Sequence, residues 1–269
     1  MIITSSQNPK IKEIVAFYKK PALLREKNYV LIEGIKEISI AVKSDIEFIS
    51  VFYCSQIIDE NSLIKVIGPN NLEISRYDVD IEVFKKIAYR ESVGGILILA
   101  KRPETKKLED FQLKKDSLFV VLDAIEKPGN LGAIARVADA SNISGIILTN
   151  LRTDIYNPNA VRSSLGTVFS NKVLVADFEE VLLWMKKNEI TSFVAELSNS
   201  NYYYEEDLTG RIALVFGTEA TGLPKDWIDN ADKRIKIPML GKIDSLNVNT
   251  SVAIIVFEAI RQRFCLKIK

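Results

Sequence analysis

The chain of 269 residues is long enough for two domains, with 47% apolar and 26% charged residues, which is typical of a soluble globular protein. The longest apolar runs, such as 94–100, are far too short to span a bilayer, which excludes a membrane protein of the helical kind. The polar N-terminus lacks the apolar core of a signal peptide, so we expect a cytoplasmic protein with no membrane partner.

Charge and side-chain content narrow the chemistry further. The formal net charge is +1, so affinity for nucleic acid has to come from local patches. The chain has no histidine, the commonest general base and metal ligand, and no carboxylates at metal-binding spacing, so we expect no metal. Cys54 and Cys265 form no spacing motif and are predicted to be unpaired thiols.

The first 30 residues predict a basic amphipathic helix. Pro9 marks its start, Ser6 or Asn8 would cap it, and the spacing of its apolar side chains predicts one buried face, formed by Ile11, Ile14, Val15 and Tyr18. Its basic side chains form either a solvated face or a contact surface for RNA phosphates. The residues predicted for the second role are Lys10, Lys12 and Arg25.

Short strands and helices alternate over residues 29–100, which predicts a compact α/β module. The predicted strands are 29–33, 46–54 and 95–100, with an extended piece at 73–75, and the predicted helices are 35–43, 61–66 and 80–88. The small-residue stretch 90–95 is either a plain turn or a place where Arg90 contacts RNA. The basic stretch 101–115, which contains a proline, is predicted to be an interdomain linker.

Longer elements alternate from residue 116 onward, and they predict a parallel sheet covered by helices on both faces. The predicted strands are 118–124, 145–148, 172–175, 190–196, 212–216 and 234–237. The predicted helices are 130–141, 157–165, 178–187 and 251–265.

Three of these strands run into glycine-bearing loops, and in open α/β sheets ligands collect at the carboxyl ends of strands. Residues 130–136 read Asn-x-Gly-Ala-Ile-x-Arg, residues 216–222 read Phe-Gly-x-Glu-x-x-Gly, and residues 237–248 read Ile-Pro-Met-x-Gly-x-x-x-Ser-Leu-Asn-Val. In this order and spacing they resemble the three motifs of the SpoU/TrmH family of RNA ribose 2′-O-methyltransferases. The resemblance covers roughly residues 115–269, and the first hundred residues resemble, more loosely, the small substrate-binding domain that often precedes it.

The resemblance implies a fold, an activity and partners. It implies an α/β domain at 116–269 with a deep trefoil knot, which periodicity would not predict because knots are rare. A small α/β RNA-binding domain at 1–100 and a linker at 101–115 would precede it. The implied activity is S-adenosylmethionine-dependent methylation of a ribose 2′-hydroxyl in RNA by a homodimer. Ribosomal RNA is favoured over transfer RNA, because the N-terminal part resembles that of the ribosomal-RNA enzymes.

The resemblance also implies that the last two loops wrap the cofactor through backbone groups and apolar contacts. The residues that match or adjoin these positions are Phe216, Gly217, Thr218, Ile237, Met239, Gly241 and Leu246. By the residues alone, Gly217 and Gly222 could equally serve only tight turns, and Ile237 and Leu246 could belong to the core.

Arg136 matches the arginine that the family is proposed to use in deprotonating the 2′-hydroxyl. Because a guanidinium is effectively always charged, we expect Arg136 to bind the adjacent phosphate and stabilise the developing alkoxide, while phosphate or water accepts the proton. Asn130 could cap its helix or bind the ribose or the cofactor. Glu219 and Asn247 match polar positions near the site, and Glu219 would orient Arg136 or Asn247.

Other polar and aromatic residues suggest contacts with RNA. Arg162 matches a recurrent arginine of the family, and Ser164 lies beside it. Tyr202, Tyr203 and Tyr204 could stack on bases or simply pack at an edge, with at most two of the three facing outward. The alternatives to ribosomal-RNA methylation are the same reaction on transfer RNA and an inactive RNA-binding member of the family. A P-loop is disfavoured, because residues 223–224 are Leu-Pro where Lys-Ser/Thr is required.

Overall fold

The computed structural model describes residues 2–88, 94–104, 106–170, 172–218 and 221–267, with side chains as far as residue 264. The predicted site residues Arg90 and Glu219 lie outside these ranges. The residues pack into two compact units. One comprises Met1–Glu104 and Ile155–Ser170, and the other comprises Thr105–Asp154 and Asn171–Lys269.

The strands are, in chain order, β1 Ile2–Ile3, β2 Tyr29–Glu33, β3 Phe48–Tyr53, β4 Ser75–Val79, β5 Ile96–Lys101, β6 Leu118–Asp123, β7 Gly145–Thr149, β8 Val173–Val175, β9 Thr191–Ala195, β10 Asn201–Tyr202, β11 Ile212–Phe216 and β12 Lys233–Lys236. The helices are α1 Pro9–Lys19, α2 Ala22–Glu26, α3 Ile35–Lys43, α4 Glu60–Ile67, α5 Ile81–Ile87, α6 Pro128–Ala140, α7 Pro158–Ser163, α8 Phe178–Lys187, α9 Lys225–Asp229 and α10 Val248–Lys267. No helix among the described residues is long and apolar enough to cross a membrane.

The first unit contains a five-stranded sheet in the order β1-β4-β3-β5-β2, with β5 antiparallel to both of its neighbours. The predicted helix α1 is confirmed: the side chain of Asn8 accepts a hydrogen bond from the Lys10 N–H, and Ile11 and Ile14 are buried in the core. Strand β4 begins at Ser75, where the predicted extended piece ends. It was missed because its alternating polar residues lack a continuous apolar run.

The second unit contains a seven-stranded sheet in the order β10-β12-β9-β11-β6-β7-β8, and every paired strand is parallel. The central strands β6 and β11 are buried along their whole length, as their continuous apolar sequences predict. The predicted α/β fold with a parallel sheet flanked by helices is confirmed. The trefoil knot stays a prediction.

Two segments pack with a unit of the structure that the local sequence did not indicate. Within the stretch predicted as a linker, Leu108 is buried and the Phe111 ring lies 5.1 Å from the Phe119 ring, so this part packs on the core of the second unit. Ile155–Ser170 packs with the first unit, where α7 contacts β2. An apolar helix face does not reveal which core will cover it. The boundaries 1–100, 101–115 and 116–269 stay a prediction about domains.

Candidate active site

The carboxyl ends of β9, β11 and β12 surround a cavity of about 360 Å³ in the second unit. Six of the seven residues predicted to bind the cofactor line it, namely Phe216, Gly217, Thr218, Ile237, Met239 and Leu246. Gly241 does not line the cavity. It is exposed, and nothing lies within 4 Å of the point where its Cβ would be.

The loop after β11 is a closed turn. Thr218 and Gly222 exchange two backbone hydrogen bonds, of 3.2 and 3.0 Å, and the Thr218 hydroxyl accepts a third from the Thr221 N–H at 3.1 Å. Gly222 has φ +66°, and a Cβ on Gly217 would overlap the Gly222 carbonyl and the Leu223 nitrogen. The two glycines therefore make a tight turn, and that turn also forms one wall of the cavity.

The cavity has charged lining residues that the sequence did not single out. They are Glu196, Lys236 and Asp244. Further lining residues that were not predicted are Ala195, Leu197, Thr221, Val248, Ser251 and Ile255. The rule that ligands collect at the carboxyl ends of strands would have found Glu196, because it directly follows β9. It was missed because the sequence does not show that β9 lies between β11 and β12.

Asn130 and Asn247 connect the first and third motifs. The Asn247 amide donates a 3.4 Å hydrogen bond to the Asn130 side-chain oxygen, and Asn130 is buried. The expectation that Asn130 caps its helix is wrong, because α6 begins at Pro128 and the Asn130 N–H already donates to the Lys127 carbonyl. The side chain of Asn247 accepts from the Asn249 N–H, so it caps the start of α10.

Arg136 lies on α6 but does not line the cavity. It is exposed, six residues beyond Asn130, which is about 9 Å along the helix axis and on a different face. The structure thus brings Asn130 and Asn247 together and leaves Arg136 apart from them. The expected contact between Glu219 and Arg136 falls outside the described residues.

A buried carboxylate at the end of β6 was also missed. Asp123 accepts hydrogen bonds on Oδ1 from the Thr149 hydroxyl and the Asn150 amide, both at 2.8 Å, and from the Trp227 indole N–H at 3.2 Å. These donors belong to the end of β7, the residue after it and α9. Asp123 therefore joins the strand before the first motif to the helix after the second. Its sequence signal was a single carboxylate at the end of an otherwise apolar strand.

The predicted RNA-contact residues of the first unit divide into exposed and buried ones. Lys10, Lys12 and Arg25 are exposed, and the Lys10 ammonium lies 4.5 Å from the centre of the Tyr77 ring. Arg162 is half-buried and donates to the Asn159 side chain at 2.7 Å. Ser164 is fully buried, and its hydroxyl donates to the Val161 carbonyl at 2.8 Å, which contradicts its assignment as an RNA contact.

Two family models match this chain. The SpoU rRNA methylase family matches residues 117–257, and an MRM3-like substrate-binding domain matches residues 8–97. The chain therefore belongs to the SpoU rRNA methylase family. The predicted family, the RNA 2′-O-methyltransferase class and S-adenosylmethionine as its cofactor are thereby confirmed.

Relatives of known name agree with this assignment. The 23S rRNA (guanosine(2553)-2′-O)-methyltransferase RlmP of Bacillus subtilis is 26% identical over 257 residues, which cover 95% of this chain and 97% of RlmP. The 23S rRNA (uridine(2479)-2′-O)-methyltransferase of Streptomyces viridochromogenes is 33% identical over 162 residues, which cover 58% of this chain. The present chain spans only 56% of that second relative.

Solved structures resemble the whole chain. A crystal structure of an RNA 2′-O ribose methyltransferase has a TM-score of 0.85 at 33% identity and covers 98% of this chain and 100% of its own. The S-adenosylmethionine-bound rRNA methyltransferase of Sinorhizobium meliloti has a TM-score of 0.86 at 27% identity, covering 97% of each chain.

Proposed function

We propose that this protein transfers the methyl group of S-adenosylmethionine to a ribose 2′-hydroxyl of ribosomal RNA. The observation that carries the proposal is the cavity in which loops of the second and third motifs meet, beside the Asn130–Asn247 contact between the first and third. Relatives that align along nearly the whole chain are named as 23S rRNA enzymes, so 23S rRNA is the first candidate substrate. Because ribosomal RNA is modified where ribosomes assemble, we also propose a cytoplasmic location.

The cavity lining suits S-adenosylmethionine, which supplies an electrophilic methyl group on a sulfonium. Phe216, Met239 and Leu246 offer apolar surface for an adenine, and the turn at Gly217 exposes backbone groups without a side chain in the way. Glu196 and Asp244 are anionic partners for a cationic ligand.

We propose electrostatic rather than general-base catalysis by Arg136. A permanently charged guanidinium can bind the neighbouring phosphate and stabilise the alkoxide that develops on the ribose, while phosphate or water takes the proton. Asn130 and Asn247 would position the ribose, since their mutual hydrogen bond orients both amides. Glu219 would orient Arg136 or Asn247.

We further propose that the protein is a homodimer. Phe257 and Phe264 lie seven residues apart on α10, hence on one face, and are 48% and 61% exposed. Leu240 and Ile243, in the third motif loop, are 96% and 64% exposed. A second copy would cover such apolar surface.

Because no arginine lines the cavity among the described residues, Arg136 reaches the ribose either after RNA binds or from the second chain.

The test is methyl transfer from labelled S-adenosylmethionine to separate pools of unmodified 23S rRNA, 16S rRNA and transfer RNA. We expect label in the 23S pool, in an alkali-resistant dinucleotide, and a loss of at least about 100-fold in rate for Arg136→Ala. Lys186→Ala, an exposed lysine on α8, is the control and should methylate as wild type does. Label in transfer RNA alone would identify transfer RNA as the substrate. Cofactor binding without any methyl transfer would support an inactive RNA-binding member of the family.

Mixed dimers distinguish the two routes for Arg136. We would combine Arg136→Ala chains with chains whose cavity is blocked by Gly217→Ala. If Arg136 acts across the dimer, the mixture recovers activity that neither variant has alone, because one of its two sites is intact. If Arg136 acts within its own chain, each mixed dimer has no intact site and the mixture stays inactive.

A further inference from the structure

Two exposed tyrosines form a parallel stack at the edge of the seven-stranded sheet. Tyr202, in the edge strand β10, and Tyr204, just beyond it, have ring centroids 5.5 Å apart and ring planes 13° apart. They are 37% and 50% exposed, whereas Tyr203, between them in sequence, is half-buried and meets Tyr204 edge-on. The stack therefore leaves aromatic surface facing solvent.

Surrounding hydrogen bonds hold this edge in place. The Tyr202 N–H donates to the Glu205 carboxylate at 3.2 Å, and the Asn201 amide donates to the Glu206 carboxylate at 2.8 Å. Lys233 of β12 forms an ion pair with Glu206. These contacts order the backbone that carries the rings, so a ligand that stacks on them would lose less affinity to the ordering of this edge.

Lys236 connects the tyrosine stack to the cavity. It is the partner of Tyr202 in the β10–β12 pairing, and its ammonium lies 5.4 Å from the centre of the Tyr202 ring. The same residue lines the cavity and immediately precedes the third motif loop. Lys236 therefore adjoins both the aromatic surface and the proposed reaction site.

We propose that Tyr202, Tyr204 and Lys236 bind an unpaired nucleotide next to the one that is methylated, which rests on the proposed function. The base stacks on the exposed ring surface of Tyr204, and the phosphate contacts Lys236. A nucleotide fits because its base can stack on an aromatic ring, and its negatively charged phosphate can pair with the Lys236 ammonium. The substrate is then single-stranded around its target.

Variants at Tyr204 separate stacking from simple packing. Tyr204→Leu keeps apolar bulk but removes the π-face, so KM for RNA should rise about tenfold, while kcat and cofactor affinity stay within about twofold. Tyr204→Phe retains the ring and should recover most of the RNA affinity. The control is Leu183→Ala on α8, which is 69% exposed and lines a surface pocket with Val175 of β8, the strand at the opposite edge of the sheet from β10. An unchanged KM in Tyr204→Leu, with methylation intact, overturns the inference and leaves the proposed function standing.

A fluorescence measurement tests the contact without requiring turnover. Trp184 and Trp227 are only 7% and 1% exposed, so Tyr204→Trp would introduce the accessible indole. A single-stranded oligoribonucleotide should quench this emission, and a blunt RNA duplex should not. Quenching by S-adenosylmethionine instead would assign the aromatic surface to the cofactor, and no quenching by the single strand would refute the stacking proposal. Absence of methyl transfer to every RNA pool, with quenching retained, would count against the proposed function alone.

Discussion

At the scale of single residues, the missing side chain of Gly217 is the most sharply defined requirement of the cavity. Its Cβ position is occupied by the backbone of Gly222 and Leu223, which cannot move away as a flexible side chain could. Both the Gly217–Gly222 turn and the cavity wall that it forms therefore require that residue 217 has no Cβ.

We predict that Gly217→Ala weakens S-adenosylmethionine binding by at least about tenfold, because the turn must open to make room for the alanine side chain. The matched control is Gly210→Ala, since nothing lies within 4 Å of its Cβ position. Isothermal titration of both variants measures the effect. Equal dissociation constants for the two would show that the turn tolerates a side chain.

Asp123 is a second residue whose role depends on contacts distant in sequence. We predict that Asp123→Ala destabilises the protein by about 3 kcal/mol, because it leaves three donors without their acceptor, among them the buried indole N–H of Trp227. Asp139→Ala, an exposed aspartate on α6, should cost less than about 0.5 kcal/mol. Thermal denaturation compares the two. A similar small loss for both would contradict the assigned role.

At the scale of secondary-structure elements, the carboxylate of Glu206 links β10 to β12 at the edge of the sheet, through Asn201 and Lys233. The pKa of Glu206 lies below its ordinary value because Asn201 donates a hydrogen bond to it and Lys233 pairs with it. The ionised form is therefore favoured in the folded protein. Its stabilisation is complete above the ordinary carboxyl pKa and is lost as the pH falls through the lowered folded value.

We predict that Glu206→Gln removes this part of the acid sensitivity. Between about pH 5 and pH 3, the melting temperature of wild type should fall more steeply than that of the variant. The difference should correspond to about 1 kcal/mol or less, because the Lys233 partner is partly exposed to water. Glu179→Gln, an exposed glutamate of α8, controls for the loss of a surface charge. Parallel melting curves for wild type and Glu206→Gln would refute the prediction.

At the scale of the whole molecule, the exposed apolar face of α10 underlies the proposed dimer. We predict that Phe257→Glu turns a dimer into a monomer, because a carboxylate would be buried without a partner at the interface. Leu183→Glu is the matched control, since Leu183 is also exposed, at 69%, but lies on α8. Size-exclusion chromatography with light scattering gives both masses. A monomeric wild type, or a dimeric Phe257→Glu, would rule out this face as the interface.

Much of the fold could be predicted from local sequence. Strands β2 and β11 and helices α3 and α8 have the predicted bounds, because continuous apolar runs and amphipathic spacing are local properties. Helix α10 starts at Val248, three residues before the predicted 251, since Asn247 provides the cap within a stretch predicted as loop. Strand β4 and the packing of Ile155–Ser170 with the first unit were not predicted, because both depend on which partner covers them.

The sequence by itself determined the class of fold, the three motifs and six of the residues that line the cavity, because strands and glycine-bearing loops leave local patterns. Only the tertiary structure decided that Glu196 and Lys236 share the cavity, that Asn130 meets Asn247, and that Asp123 binds Trp227. It also decided that Arg136, which is exposed on α6, does not line the cavity of its own chain. The physical reason is that the order of parallel strands sets which loops meet, and residues more than a hundred positions apart carry no joint periodicity.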